Sequence, residues 1–155
     1  MIKTILVAID ASDQRQFVLA QAVEIANHFE ADLHLVSVND PAKHWELTMA
    51  DPVPEIFASL EAEVSHLLED AGQQLEKLGI AYRAHMLEGA AIEQIALLAE
   101  QISADLIVIG HRHLSRLRRL VDNSVAKGVV ARAPCSVMIS IEAHKPPLQR
   151  NLPTE

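Results

Sequence analysis

The sequence predicts an α/β fold: a single doubly wound domain whose mostly parallel sheet of five strands carries helices on both faces. Three observations predict it. Short, nearly continuous apolar runs recur along the chain, as strands buried on both faces require. Segments of helical period separate them, giving β-α-β-α-β-α-β-α-β, an alternation that belongs to parallel sheets with right-handed crossovers. The chain has 155 residues, half of them hydrophobic, which is one domain's length with a full core. Aromatic residues make up 3%, so that core is built from Ala, Val, Ile and Leu.

The elements follow in order. "TILVAI" (4–9) is a buried strand, and "DASDQ" after it offers Ser12 and Asp13 as helix N-caps. Val18, Ala22, Ile25, Ala26 and Phe29 repeat at helical spacing. "DLHLVSV" (32–38) is a second strand. Residues 39–55 hold three prolines and no sustained period, and read as a long loop. Apolar residues from Ile56 to Leu78 mark a long amphipathic helix, which Gly79 is placed to end. "IAYRAHML" (80–87) alternates as a strand does. Ile92, Ile95, Ala96, Ala99 and Ile102 mark the next helix, and "DLIVIG" (105–110) the fourth strand. Val121, Val125, Val129 and Val130 indicate a fourth helix, and "CSVMISI" (135–141) a last strand. One domain is therefore expected over 1–141, with 142–155 a loose polar tail.

Charge narrows the function. A formal net charge of -8 argues against general affinity for nucleic acid or an anionic membrane. No run approaches the roughly 20 apolar residues of a membrane span, and the opening run is too short for a signal peptide. One cysteine excludes an intramolecular disulfide and suits a reducing compartment. A cytoplasmic protein is expected. Yet six of the 13 Lys and Arg residues lie between Arg112 and Arg132, where Asp122 is the one acid.

Ligands of such sheets sit beyond the carboxyl ends of the strands, where strand order reverses. Asp10 and Gly110 stand at two such ends. Asp10 reads either as a turn residue or as a carboxylate accepting from a sugar hydroxyl or a base amino group. Gly110 allows a sharp turn and close approach of a phosphate. Ser124, beside Asn123, can cap the valine-rich helix, whose free N–H groups and dipole favour an anion. A phosphate between Gly110 and Asn123-Ser124, near the arginines, is one reading. A solvated basic loop is the other. His111 and His113 lack the third and fourth ligands a metal needs and read as a surface pair. Cys135 reads as a small core residue. The phosphate loops G-x-x-x-x-G-K-[ST] and G-x-G-x-x-G are absent, as is a G-x-S-x-G elbow. No catalytic residue is expected.

"KTILVAIDASD", "EGAAIEQIALLAEQ", "DLIVIGHRH" and "NSVAKGVVARAPCSVMIS" occur in that order, and together they resemble the universal stress protein family over residues 2–141. The resemblance implies strand order 3-2-1-4-5 and a homodimer, paired through the last strand, Cys135 to Ile141. It implies ATP or another adenine nucleotide as ligand, with Mg as the one metal, carried by the nucleotide. The family's Gly-x-x-Gly, nine residues, Gly-Ser/Thr pattern lays Gly110 on the first glycine and Ser124 on the hydroxyl. His113 and Asn123 replace the other two glycines. Asn tolerates the left-handed conformation. His113 places a side chain where backbone meets phosphate, or donates to that phosphate with help from Arg112 or Arg116. Asp10 matches the family's acidic residue and Val38 the position meeting adenine. Ala8, Ile9, Ile109 and Val125 match neighbouring contacts. The implied protein is a non-enzymatic stress-response protein that binds nucleotide weakly. The alternative is a dimeric interaction module without nucleotide, docking a protein partner through its arginines or the 39–55 loop. Slow ATP hydrolysis is a third, weaker reading, because the turn "DASDQRQ" has neither histidine nor glycine.

Overall fold

A computed structural model describes residues 1–41, 54–110 and 125–141. In chain order these form β1 (Thr4–Ala8), α1 (Arg15–Phe29), β2 (Asp32–Asn39), α2 (Pro54–Lys77), β3 (Tyr82–Glu88), α3 (Ala91–Gln101), β4 (Leu106–Gly110), α4 (Val125–Arg132) and β5 (Ser136–Ser140). The five strands make one parallel sheet in the order β3-β2-β1-β4-β5, as expected.

Alternate residues of the same strands feed two cores, which is why the strands read as unbroken apolar runs. Ile5, Val7, Leu33, Leu35 and Val108 pack with Val18, Ala22, Leu67 and Leu75 from α1 and α2. Leu6, Val36, Ile107 and Ile109 pack with Ile95, Ala99 and Val129 from α3 and α4. Ile5, Leu6, Leu35 and Ile107 are wholly buried. Each such side chain contributes about 1.5–3 kcal/mol relative to exposure. Before β4, the Asp105 carboxylate accepts the Lys3 and Thr4 N–H groups at 2.7 and 3.0 Å, tying the start of β1 to β4. Those two bonds hold its carboxyl below the usual range.

Several ends differ from the sequence expectation. Ser12 and Asp13 do not cap α1. Its N-cap is Gln14, which makes no side-chain cap bond. Asp10 instead accepts the Ser12 N–H at 2.9 Å, and the Ser12 carbonyl accepts the Arg15 N–H at 3.1 Å, so Ser12 belongs to the turn. Phe29, placed on the apolar face by its spacing, is 42% exposed at the end of α1. Gly79, with φ +70°, ends α2 as expected. However, the Ile80 N–H still bonds the Leu75 carbonyl at 2.9 Å, so β3 starts at Tyr82 and not at residue 80. β1 ends one residue early, at Ala8, and β5 runs from Ser136 to Ser140, inside the expected 135–141. Cys135 packs, half-buried, against the second core, and burial pushes its thiol pKa up. Residues 42–53 of the expected loop, Val121 and the 142–155 tail lie outside the described residues. Among those described, no helix is long and apolar enough to cross a membrane.

Candidate functional site

Strand β1 neighbours β2 on one side and β4 on the other, so strand order reverses at β1. The register brings Ala8 level with both Val36 and Ile109. Beyond that level rung lies a cavity of about 140 Å³. Val36, Val38, Ile95 and Ile109 supply apolar walls, and Asp10, Ser12, Arg15 and Asp40 supply polar groups.

Of the residues singled out from the sequence, Ala8, Ile9, Asp10, Val38, Ile109, Gly110 and Val125 all line this cavity. Arg112, His113, Asn123 and Ser124 lie outside the described residues, as do His111 and Arg116. The turn reading of Asp10 holds, because its Oδ1 accepts the Ser12 N–H within its own turn. The residue also lines the cavity.

Gly110 has a reason the sequence did not indicate. Its φ is not in the left-handed range, so no sharp turn demands glycine there. Instead, a Cβ at Gly110 would lie 2.9 Å from Val18 Cγ2 and 3.5 Å from Gln14 Oε1. The residue is a glycine because α1 presses against the end of β4 at that point.

Asp40 also lines the cavity, although the sequence reading did not single it out. Its Oδ2 accepts the Ala91 N–H at 3.3 Å, across 51 residues. The helix's own N-cap, Ala90, has no side chain to do this. A carboxylate thus already meets the positive end of α3, and an anionic ligand is not drawn there. The signal was available, because Asp40 follows a strand end as Asp10 does. Arg15, the first residue of α1, was missed for a different reason. Helical spacing marks the core face but does not tell which first-turn residue reaches a cleft.

The described residues suit one end of a ligand. Their cavity, about 140 Å³, is smaller than the roughly 300–1,000 Å³ of a drug-sized site. Its apolar walls can cover an apolar group, while Asp10 and Asp40 can accept from amino or hydroxyl donors. Arg15 can donate to an anion. No cluster of three or more His, Cys, Asp or Glu suited to a metal occurs among the described residues. The described lining holds no histidine or cysteine that could serve as base or nucleophile.

The model of the universal stress protein family matches residues 1–140. A universal stress protein of Synechocystis sp. is 32% identical over 142 residues, covering 90% of this chain and 85% of its own. The structure of a universal stress protein from Lactobacillus plantarum superposes with a TM-score of 0.72 at 26% identity, covering 89% of this chain and 97% of that one. A universal stress protein from Archaeoglobus fulgidus, solved in complex with dAMP, superposes at 0.65 with 24% identity, covering 90% and 98%.

Proposed function

The chain belongs to the universal stress protein family, and from that premise we propose that it is a non-enzymatic stress-response protein binding an adenine nucleotide at the carboxyl ends of β1, β2 and β4. The observation that carries this reading is the cavity at the strand-order reversal, with Val38, Ile95 and Ile109 as apolar walls beside the carboxylates of Asp10 and Asp40. A relative of the same fold, from Archaeoglobus fulgidus, was solved with dAMP, which supports an adenine nucleotide as the ligand class.

In this reading the apolar walls cover the base, and Asp10 accepts from the ribose hydroxyls. Gly110, Asn123, Ser124 and Val125 hold the phosphates, helped by Arg112 and His113. Magnesium enters only with the nucleotide. The protein works in the cytoplasm as a homodimer joined through β5. Calorimetric titration with ATP, ADP and AMP tests the reading. Binding with a Kd below a millimolar is expected, and absence of heat at millimolar nucleotide overturns it.

A second reading rests on His113 and Asn123, which stand where the family pattern has glycines. In that reading the cleft is vestigial and the basic segment docks a protein partner. It gains ground only if the titrations are silent.

A further inference from the structure

We propose that Arg15 makes the cleft selective for phosphorylated ligands over the neutral nucleoside, acting from the α1 side. This rests on the adenine-nucleotide reading and adds to it a residue that the glycine pattern does not contain.

The argument starts from the helix. Arg15 and Val18 are three residues apart, and so lie on one face of α1. Val18 is the residue that presses on Gly110. The face bearing Arg15 is therefore the one turned to the end of β4, and Arg15 sits one turn nearer the open end of the sheet. Arg15 is half-buried and lines the cavity together with Asp10, Gly110 and Val125.

Charge gives the position its meaning. Among the described residues that line the cavity, Asp10 and Asp40 are acids and Arg15 is the cation. A guanidinium at this wall attracts a phosphate at short range, where screening by salt is incomplete, and its planar fork suits two phosphate oxygens at once. No ion pair among the described residues engages Arg15.

Arg15 also borders a second cavity between α1 and α2, whose lining includes Asp13, Glu63, His66 and Asp70. The side chain thus stands between an acidic pocket and the nucleotide cleft.

The experiment measures adenosine, AMP and ATP binding to the wild-type protein, Arg15→Gln and Arg15→Lys at low and moderate salt. Arg15→Gln is expected to weaken AMP and ATP about tenfold, equal to about 1.4 kcal/mol, while adenosine stays within about twofold. Arg15→Lys keeps the charge but loses the fork, and is expected to recover part of the loss. Thermal melting of each variant confirms folding, and should Arg15→Gln not fold, the Arg15→Lys loss for AMP relative to adenosine decides. Unchanged AMP affinity, or equal losses for AMP and adenosine, overturns the role of Arg15 and leaves the nucleotide reading intact. Wild-type protein that binds none of the three overturns the nucleotide reading and this role with it.

Discussion

His34 on β2 and His85 on β3 meet through their ring nitrogens, Nδ1 to Nε2, at 2.9 Å. The rings are 7° from parallel with centroids 5.1 Å apart. That separation fits two rings joined edge to edge through one N–H···N hydrogen bond, with one imidazole donating and the other accepting. Such a bond tolerates a neutral pair, but two imidazolium rings would both be donors and repel. His34 is 5% exposed, and β3 is the edge strand, paired among the described residues with β2.

Acid should therefore loosen this edge. Burial holds the pKa of both histidines below the ordinary value. Their mutual proximity also lowers that of His34, and Arg83 lowers both; Asp32 opposes the shift at His34. Below about pH 6.5 the unfolded chain then binds more protons than the folded one, so stability falls as pH drops from there through the native pKa values. Above pH 7 the pair gives no pH dependence. Between pH 7.5 and 5.5 the wild-type protein should lose about 1 kcal/mol more than the His34→Leu, His85→Leu double variant. In thermal melts this is a difference of roughly 2–4 °C. Identical pH profiles would show that the pair does not resist protonation.

The contact between Gly110 and Val18 makes a second expectation. Gly110→Ala puts a methyl 2.9 Å from Val18 Cγ2, and such overpacking costs about 1–3 kcal/mol. Val18→Ala removes the obstructing methyl groups. The double variant should be more stable than the sum of the single losses, by about 1 kcal/mol or more. Chemical denaturation of the four proteins measures this. Strict additivity would mean that Gly110 is needed for another reason.

A third expectation concerns the other sheet edge. Among the described residues β5 pairs with β4 alone, and Ile139 and Ile141 are 38% and 46% exposed. An apolar open edge of this kind invites pairing with a second copy. Light scattering should give twice the chain mass for the wild-type protein, and the monomer mass for Ile139→Lys with Ile141→Lys. A monomeric wild-type protein would refute the β5 dimer.

Much of the fold was legible. β1, β2 and β4 fall within or on the runs at 4–9, 32–38 and 105–110 because both faces of each strand are buried, and burial on both faces writes itself as unbroken apolar sequence. The helix after residue 54 ends at Gly79 because a left-handed residue is needed there. Strand ends were less legible. Ile80 is apolar and β-branched, yet its N–H completes the end of α2. Apolar character does not say which carbonyl an N–H will find. The cleft was half legible. Asp10 and Gly110 stood out as polar or small residues at strand ends, whereas Asp40 and Arg15 did not.

The sequence by itself determined the order and kind of the elements, the family and the two strand ends that flank the cleft, because those depend on local periodicity and on short contiguous stretches. Only the tertiary structure decided that Asp40 reaches Ala91, that His34 pairs with His85 and that Val18 makes Gly110 a glycine. Each of these contacts joins residues dozens of positions apart. Their partners are set by strand register and by how closely a helix lies on the sheet, and neither quantity is encoded in the spacing of neighbouring residues.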